Sequence, residues 1–93
     1  MNARTSPKFP LGALVATPNA LSCVSQDDIN AALQRHMLGD WGDLCDEDKK
    51  VNDRAVAEGS RILSAYQAVN STKFWIITEA DRSATTVLLP EDY

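Results

Sequence analysis

The stretch RILSAYQAVNSTKFWIITEADRSATTVLL, from Arg61 to Leu89, decides the fold. It contains three runs rich in β-branched, aromatic and aliphatic residues, a composition typical of strands: Arg61–Val69, Lys73–Glu79 and Ala84–Leu89. Short polar turns separate the runs, and Pro90 ends the last one because proline cannot donate a ladder hydrogen bond. Connections this short favour antiparallel neighbours, so the stretch predicts a three-stranded antiparallel β-meander.

The middle run places large apolar groups on both faces of this sheet. Trp75 and Ile77 point to one face, and Phe74 and Ile76 point to the other. Helices can cover one face, but the second needs the N-terminal segment or a partner, since a large apolar patch is seldom left in water. Coverage by the chain itself and a homodimer through the sheet are both open at this point.

Two main helices and a shorter leading one are predicted before the strands. Gln26–Leu38 carries an apolar stripe at helical spacing, and Asp46–Glu58 begins with three acidic residues; a glycine follows each. Thr17 followed by Pro18 is typical of a helix start, and Leu11–Thr17 is a candidate edge strand. The predicted fold is therefore α+β, with two to three helices packed on a three-stranded antiparallel β-meander and a fourth, N-terminal edge strand as an option.

Length and composition fit one small domain. The 93 residues are 44% hydrophobic and 24% charged, as in ordinary globular proteins. We expect a flexible N-terminal segment at 1–10 and a single α+β domain at 11–93. Neither a membrane-spanning run nor a signal peptide is recognisable, so we expect no membrane contact and a cytoplasmic location. The two cysteines, Cys23 and Cys45, are then expected to be reduced thiols.

The negative charge of the chain is concentrated in one segment. The net charge is −4, and residues 40–58, with seven acidic and three basic residues, account for all of it. This argues against direct nucleic-acid binding, which needs Lys and Arg, and favours docking on a protein partner with a basic surface. A solvated cap that stabilises the helix dipole is the competing interpretation. Trp41 is either an exposed aromatic anchor or a lid on the core. The predicted partner-binding residues are Asp40, Trp41, Asp43, Asp46, Glu47, Asp48 and Asp53.

Neither a catalytic site nor a metal or cofactor site is predicted. The chain has one histidine, His36, without zinc-ligand spacing to a cysteine, and its four glycines do not form a phosphate-binding loop. His36 with Asp40 and Asp43 could bind a metal or supply a base, but its place on an apolar stripe favours a structural role. Combined with Glu79 and Arg82, His36 would form the site of a small ribonuclease-type toxin, which is the alternative enzyme hypothesis.

Four stretches of the chain carry a family resemblance: RHMLGDWGDL at 35–44, GSRILSAY at 59–66, WIITEADRS at 75–83 and LLPEDY at 88–93. Together they resemble a family of short bacterial proteins found on plasmids and integrated mobile elements, usually labelled hypothetical or plasmid-related and sometimes type I restriction subunit M. A methyltransferase subunit needs a cofactor-binding domain and an Asn-Pro-Pro-aromatic motif, and the chain has neither. The resemblance implies a mobile-element habitat, where small proteins are often antidotes, toxins, regulators or inhibitors of host restriction and CRISPR systems.

The leading functional hypothesis is a non-enzymatic protein-binding module of a mobile element. In its concrete form, the segment 40–58 docks on the basic, nucleic-acid-binding surface of a host defence complex, such as a CRISPR or restriction complex, and inhibits it. The alternatives are the ribonuclease-type toxin and a homodimeric accessory or antitoxin-like protein whose bare sheet face is the dimer interface.

Overall fold

A computed structural model of the chain describes residues 6–93. Within them the main helices precede the three consecutive strands, so the predicted α+β class is confirmed. The elements, in chain order, are β1 (Ala13–Ala16), α1 (Pro18–Cys23), α2 (Gln26–Met37), α3 (Asp46–Glu58), β2 (Ile62–Gln67), β3 (Lys73–Thr78), β4 (Ala84–Leu88) and a closing 3-10 turn (Pro90–Asp92).

The four strands form one sheet in the order β1-β4-β3-β2. The pairs β2–β3 and β3–β4 are antiparallel, which confirms the predicted meander. The N-terminal edge strand is also present, and it runs parallel to β4, with Ala13 opposite Ala84 and Ala16 opposite Val87. A parallel pair needs a long connection rather than a hairpin, and the helical part of the chain supplies it. The sheet is therefore mixed.

The helix ends follow the capping chemistry of the sequence. The Thr17 hydroxyl accepts a hydrogen bond from the Ala20 N–H at 3.1 Å and starts α1. The Ser25 hydroxyl does the same for the Asp28 N–H at 3.1 Å and starts α2. Gly59, with a φ of 74°, ends α3 in the left-handed conformation that glycine adopts without strain.

The hydrophobic core lies between the helices and one face of the sheet. One cluster joins α1 and α2 to the sheet, with Phe74 and Ile76 fully covered. The other lies near the start of β2, where Ala55 of α3 packs with Ile62. Along β2, Ser64 stands between the two clusters, because Ile62 belongs to one and Tyr66 to the other. The core is thus two apolar regions with polar groups between them.

The second apolar cluster also includes a residue from the N-terminal segment. The segment expected to be flexible at 1–10 lies outside the described residues at positions 1–5. Further on, Phe9 is buried, and its ring lies 5.2 Å from that of His36 and 6.2 Å from that of Trp41. The Lys8 N–H donates to the Met37 carbonyl at 2.8 Å. The core therefore includes a residue that precedes Leu11, where the sequence pattern starts the domain.

The opposite face of the sheet is covered in part by the end of the chain. The Trp75 ring meets the Tyr93 ring edge-on at 5.8 Å. The Arg61 guanidinium lies 5.2 Å from the centre of the Tyr93 ring and donates to its hydroxyl at 2.8 Å. Ile77 is buried, whereas Trp75 stays half-buried. Residues 90–93 therefore give this face part of its cover, and within residues 6–93 the cover is incomplete.

The outer edge of β2 is closed at Leu63 and Ala65 by the loop before α3 and by a side chain of α3. The Ala65 N–H donates to the Trp41 carbonyl at 3.2 Å, and the Asp43 N–H donates to the Ala65 carbonyl at 2.8 Å. Leu63 lies two residues before Ala65 on β2. The Asn52 side-chain amide donates to the Leu63 carbonyl at 2.7 Å and accepts from the Leu63 N–H at 3.3 Å. These bonds occupy the backbone groups that an edge strand otherwise leaves free.

Candidate protein-binding face

The first turn of α3 presents three consecutive acidic side chains to solvent. Asp46, Glu47 and Asp48 are all exposed, and Cys45, which precedes them, makes no side-chain capping bond. Asp43 is exposed just before this turn. Among residues 6–93, Arg35–Asp40 is the one salt bridge, so these four carboxylates have no basic side chain in contact within that range. We call the group Asp43, Asp46, Glu47 and Asp48 the acidic face.

Asp40, at the start of the predicted binding segment, has a structural partner. Its carboxylate accepts from the Arg35 guanidinium at 2.7 and 3.3 Å and from the Gly42 N–H at 3.2 Å. The bond from Arg35 is the main cause of a lowered pKa at Asp40, although burial opposes it. The Arg35 guanidinium also lies 4.9 Å from the centre of the Tyr66 ring. Asp40 thus holds the end of α2 against the loop that follows.

Trp41 is a lid on the core and not an exposed anchor. Its side chain is 3% exposed and packs beside Phe9 and His36. The indole N–H donates to the Asp53 carboxylate at 2.9 Å, so Asp53 is engaged as well. The anchor interpretation fails because the glycines on either side of Asp40 and Trp41 take positive φ and turn the loop back onto the core. Of the predicted binding residues, the acidic face remains available to a partner.

A cleft beside the acidic face contains the aromatic residue that Trp41 does not provide. Its volume is about 500 Å³, and half-buried Trp75 lies in its wall. Asp43 contributes to this cleft and to the acidic face, and the bond from its N–H to the Ala65 carbonyl fixes its backbone. We call it the Trp75 cleft; it is lined by Asp43, Ala65, Tyr66, Gln67, Lys73, Trp75 and Pro90.

The Trp75 cleft combines an aromatic wall with a carboxylate at its rim. A ring of this kind attracts a cationic side chain, and a neighbouring carboxylate can pair with it. Lys73 in the same lining favours a partner that also brings an acceptor. Sequence reasoning omitted Trp75 from the binding residues: the strand alternation placed it opposite Phe74 and Ile76 but did not say which face the helices cover.

A buried chain of hydrogen bonds surrounds the one histidine. Nδ1 of His36 bonds to the Ser64 hydroxyl, and Nε2 bonds to the Thr78 hydroxyl at 2.8 Å. The Thr78 and Thr85 hydroxyls are 2.7 Å apart, and the Thr85 hydroxyl donates to the Leu11 carbonyl at 2.7 Å. The four side chains are fully buried. This chain of bonds fills the polar gap between the two apolar clusters.

The directions of these bonds fix the tautomer of the imidazole. The Leu11 carbonyl can only accept a hydrogen bond, so the Thr85 hydroxyl must donate its proton to it. The Thr78 hydroxyl must then donate to Thr85, and therefore it accepts from His36. Nε2 consequently carries the proton, and Nδ1 accepts from Ser64. A neutral ring satisfies every bond in the chain, whereas a protonated ring would leave Nδ1–H directed at the Ser64 hydroxyl, which would have to give up its donor role.

The three residues of the enzyme hypothesis do not form a site of the expected kind. His36 has no solvent access, and burial lowers its pKa to about 4. The Arg82 guanidinium donates to the backbone carbonyls of Ser60, Ala55 and Glu79 at 2.6, 2.9 and 3.1 Å. These bonds tie the β3–β4 turn to the end of α3. Glu79 is exposed, so of the three residues the histidine is the one that solvent does not reach in this conformation.

The remaining residues that could bind a metal or react as nucleophiles do not form a site in the described part of the chain. Within residues 6–93, no group of three or more His, Cys, Asp or Glu side chains could hold a metal ion. Cys23 and Cys45 are exposed and free of each other. As for membrane contact, none of the helices in the described part of the chain is long and apolar enough to cross a bilayer.

The chain was compared with protein-family models, curated proteins and solved structures. No protein-family model, curated protein or solved structure matches the chain. The resemblance to mobile-element proteins therefore stays a prediction. The function has to be argued from the acidic face and the Trp75 cleft.

Proposed function

We propose that the protein is a non-enzymatic protein-binding module that docks its acidic face on a basic protein surface. One observation carries the proposal: unpaired carboxylates at the start of α3 adjoin a cleft with a half-buried tryptophan, and Asp43 belongs to both. Charge at the rim steers and orients a partner, while a desolvated aromatic supplies affinity at the centre. The two features together fit a docking site better than either alone.

The competing interpretation is that the acidic residues only stabilise the helix. Negative charge in the first turn of a helix is favourable by about 0.3–1 kcal/mol per residue. Cys45 gives α3 no side-chain capping bond, so this stabilisation is plausible here. It does not explain Asp43, which lies before the helix and faces the Trp75 cleft. The test must therefore separate binding from helix stability.

The partner class we propose is a protein whose basic surface otherwise binds nucleic acid. Closely spaced carboxylates can take the place of backbone phosphates on such a surface. The resemblance to mobile-element proteins favours one version, an inhibitor of a host defence complex of the CRISPR or restriction type, acting in the cytoplasm. In this proposal the chain blocks nucleic-acid binding by occupying the basic surface.

The test is capture of partners from a nuclease-treated bacterial lysate, read by mass spectrometry. The native chain is compared with a charge-reversed variant carrying Asp46→Lys, Glu47→Lys and Asp48→Lys. A matched control reverses three exposed acids elsewhere, Asp27→Lys, Glu79→Lys and Glu91→Lys, and so has the same net charge. We expect a basic nucleic-acid-handling complex with the native chain and the control, and its loss with the first variant.

Two further arms make the result decisive. A neutral variant, Asp46→Asn, Glu47→Gln and Asp48→Asn, keeps the size of the side chains, and urea unfolding of all variants records any loss of helix stability. Added duplex DNA should release the captured complex if the acidic face occupies a nucleic-acid site. Retention by the charge-reversed variant, or equal loss with the matched control, would overturn the proposal.

A further inference from the structure

The edge strand β1 has backbone groups that point away from the sheet. The N–H groups of Ala13 and Thr17 donate to backbone carbonyls along β4 at 3.0 and 2.9 Å. In a parallel ladder alternate residues bond to the same neighbour, so the N–H and C=O groups of Leu14 and Ala16 face the open edge. An extended strand is the element that satisfies such a row of donors and acceptors.

Within residues 6–93, this edge lacks the protection that the other edge of the sheet has. The side chains of Leu14 and Val15 are 59% and 48% exposed, and the segment 11–17 contains neither a charged residue nor a proline. Natural edge strands are usually blunted by charges, prolines, bulges or a covering segment, and in the described part of the chain β1 has only its shortness. At the other edge, residues 41–43 and Asn52 close β2.

An apolar groove runs along β1 on the helix side of the sheet. It has a volume of about 130 Å³. Leu14 and Ala16 lie on this side, because they pair with Thr85 and Val87, whose side chains belong to the core face. Most of its lining is apolar, including Leu14, Ala16, Leu21, Ile29, Leu33 and Val87, and it also contains the polar side chains of Gln26 and Asn30.

We propose that β1 pairs with β1 of a second copy of this chain, antiparallel about a two-fold axis at Val15. In this register Leu14 of one copy lies opposite Ala16 of the other, and each such pair exchanges two backbone hydrogen bonds, giving four in all. A register centred on Leu14 would bring in Gly12, whose φ is 66°, and one centred on Ala16 would bring in Pro18, which has no N–H. The register at Val15 uses every outward-facing group of the strand.

The side chains on this axis fit a second copy. A large residue meets a small one on the helix side, so Leu14 of each copy can extend over Ala16 of the other into the apolar groove. On the opposite side Val15 meets Val15 of the second copy. Two-fold interfaces need such self-complementary patches.

Charge also favours a second copy over a charged partner. The segment 11–17 is uncharged, so two copies meet there without repulsion. The acidic face follows the loop that closes β2, at the opposite end of the strand order, and stays far from the axis. Because the β2 edge is closed, pairing stops at two copies and does not continue into a fibre.

The first experiment is sedimentation equilibrium of the full chain over a wide concentration range. We expect the mass to rise from 10.2 kDa toward twice that value. Val15→Lys places two like charges opposite each other on the axis and should weaken the dimer by at least about tenfold. Val69→Lys, at a position 92% exposed in the β2–β3 turn and outside the lining of the groove beside β1, is the matched control and should dimerise like the native chain. Circular dichroism checks that each variant is folded.

The second experiment tests the register directly. In the variant Val15→Cys, with Cys23→Ser and Cys45→Ser to remove the native thiols, the two new thiols face each other in a non-hydrogen-bonded pair about 4.5 Å apart at Cα, which suits a disulfide. Mild oxidation should give a covalent dimer, and Val69→Cys in the same background should not. A native chain that stays monomeric throughout, or a Val15→Lys variant that dimerises normally, as it would through the sheet face, overturns the proposal.

Discussion

At the scale of single residues, His36 shows how the fold changes the chemistry of a side chain. The four-bond chain from Ser64 to the Leu11 carbonyl needs a neutral ring, and full burial penalises the charged form. Burial lowers the pKa of His36 to about 4, and the bond chain is compatible with the same neutral form. The residue therefore links stability to pH.

We predict that acid weakens the fold through His36. The folded pKa of about 4 lies below the ordinary value of 6.5, so the unfolded chain binds a proton first as the pH falls. The stability from the neutral ring is complete above pH 6.5 and is lost between pH 6.5 and 4, by up to about 3 kcal/mol. Urea unfolding across this range measures it.

The control for this prediction is His36→Gln, which cannot titrate in the same range. The variant is expected to be less stable at neutral pH, because the bond chain is broken. Its stability should nevertheless change less with pH than that of the native chain between pH 6.5 and 4. Equal slopes for the two proteins would show that carboxylates alone, Asp40 among them, cause the acid effect.

A second prediction at this scale concerns Gly42. Its φ is 76°, and an added Cβ would lie 1.9 Å from the Ala65 carbonyl oxygen. Gly59 has nearly the same φ of 74° but open space around it. Gly42→Ala should therefore cost about 1–3 kcal/mol more in unfolding free energy than Gly59→Ala, since only the first adds a clash to the backbone strain. Similar losses in thermal or urea unfolding would contradict the close approach.

The environments of Trp41 and Trp75 could be predicted from the sequence only in part. Turn-forming glycines around Trp41 indicate a loop, but they do not say whether the loop faces water or the core; contacts with Phe9 and His36 decide that. The strand alternation placed Trp75 on the face opposite Phe74, without indicating which face the helices cover. That it lines a cleft with Asp43 depends on the loop at 41–43 meeting β2, which local sequence does not encode.

At the scale of elements, the closed edge of β2 depends strongly on one side chain. Asn52 is buried and replaces a neighbouring strand by bonding to both backbone groups of Leu63. We predict that Asn52→Ala lowers the free energy of unfolding by about 1–3 kcal/mol, because both groups of Leu63 lose their partner. Urea unfolding measures the loss, and hydrogen exchange at the Leu63 amide should accelerate.

Asn30→Ala on α2 is the matched control for this substitution. Asn30 is exposed and its side chain bonds only within the helix, to Gln26. The change should be close to neutral, since alanine has the better helix propensity. A comparable loss in both variants would mean that the helices, and not the β2 edge, respond to the removal of an amide.

The elements themselves were largely predictable, because each is defined by local chemistry. The capping residues and glycines gave α2 and α3 to within about a residue, and the β-branched runs gave the three consecutive strands. The direction of β1 was not predictable, since a four-residue strand has no local signal for the neighbour it joins. The cover that residues 90–93 give to Trp75 is likewise a contact made only in three dimensions.

At the scale of the whole molecule, the two proposed contacts lie at opposite ends of the sheet. The β1 edge is at one end of the strand order, and the loop that leads into the acidic face closes β2 at the other. A dimer through β1 would therefore carry two acidic faces pointing away from each other. Such an arrangement allows one dimer to engage two partner molecules held on one surface.

This arrangement predicts an effect of avidity that rests on both proposals. Val15→Lys should weaken retention on a densely immobilised partner by about tenfold or more, because a monomer cannot engage two sites. Binding to the same partner free in solution should be unchanged, since Val15 is remote from the acidic face. Surface plasmon resonance at high and low partner density, with Val69→Lys alongside, provides the comparison.

The hydrogen bonds around His36 have one more consequence, which a proton NMR spectrum can record. Hydroxyl protons of serine and threonine usually exchange with water too quickly to be observed. Those of Ser64, Thr78 and Thr85 are each committed to one acceptor in a fully buried site, so water reaches them only when the core opens. They should appear as three separate resonances, and the rate at which they fade in deuterated water would time the opening of the centre of the molecule.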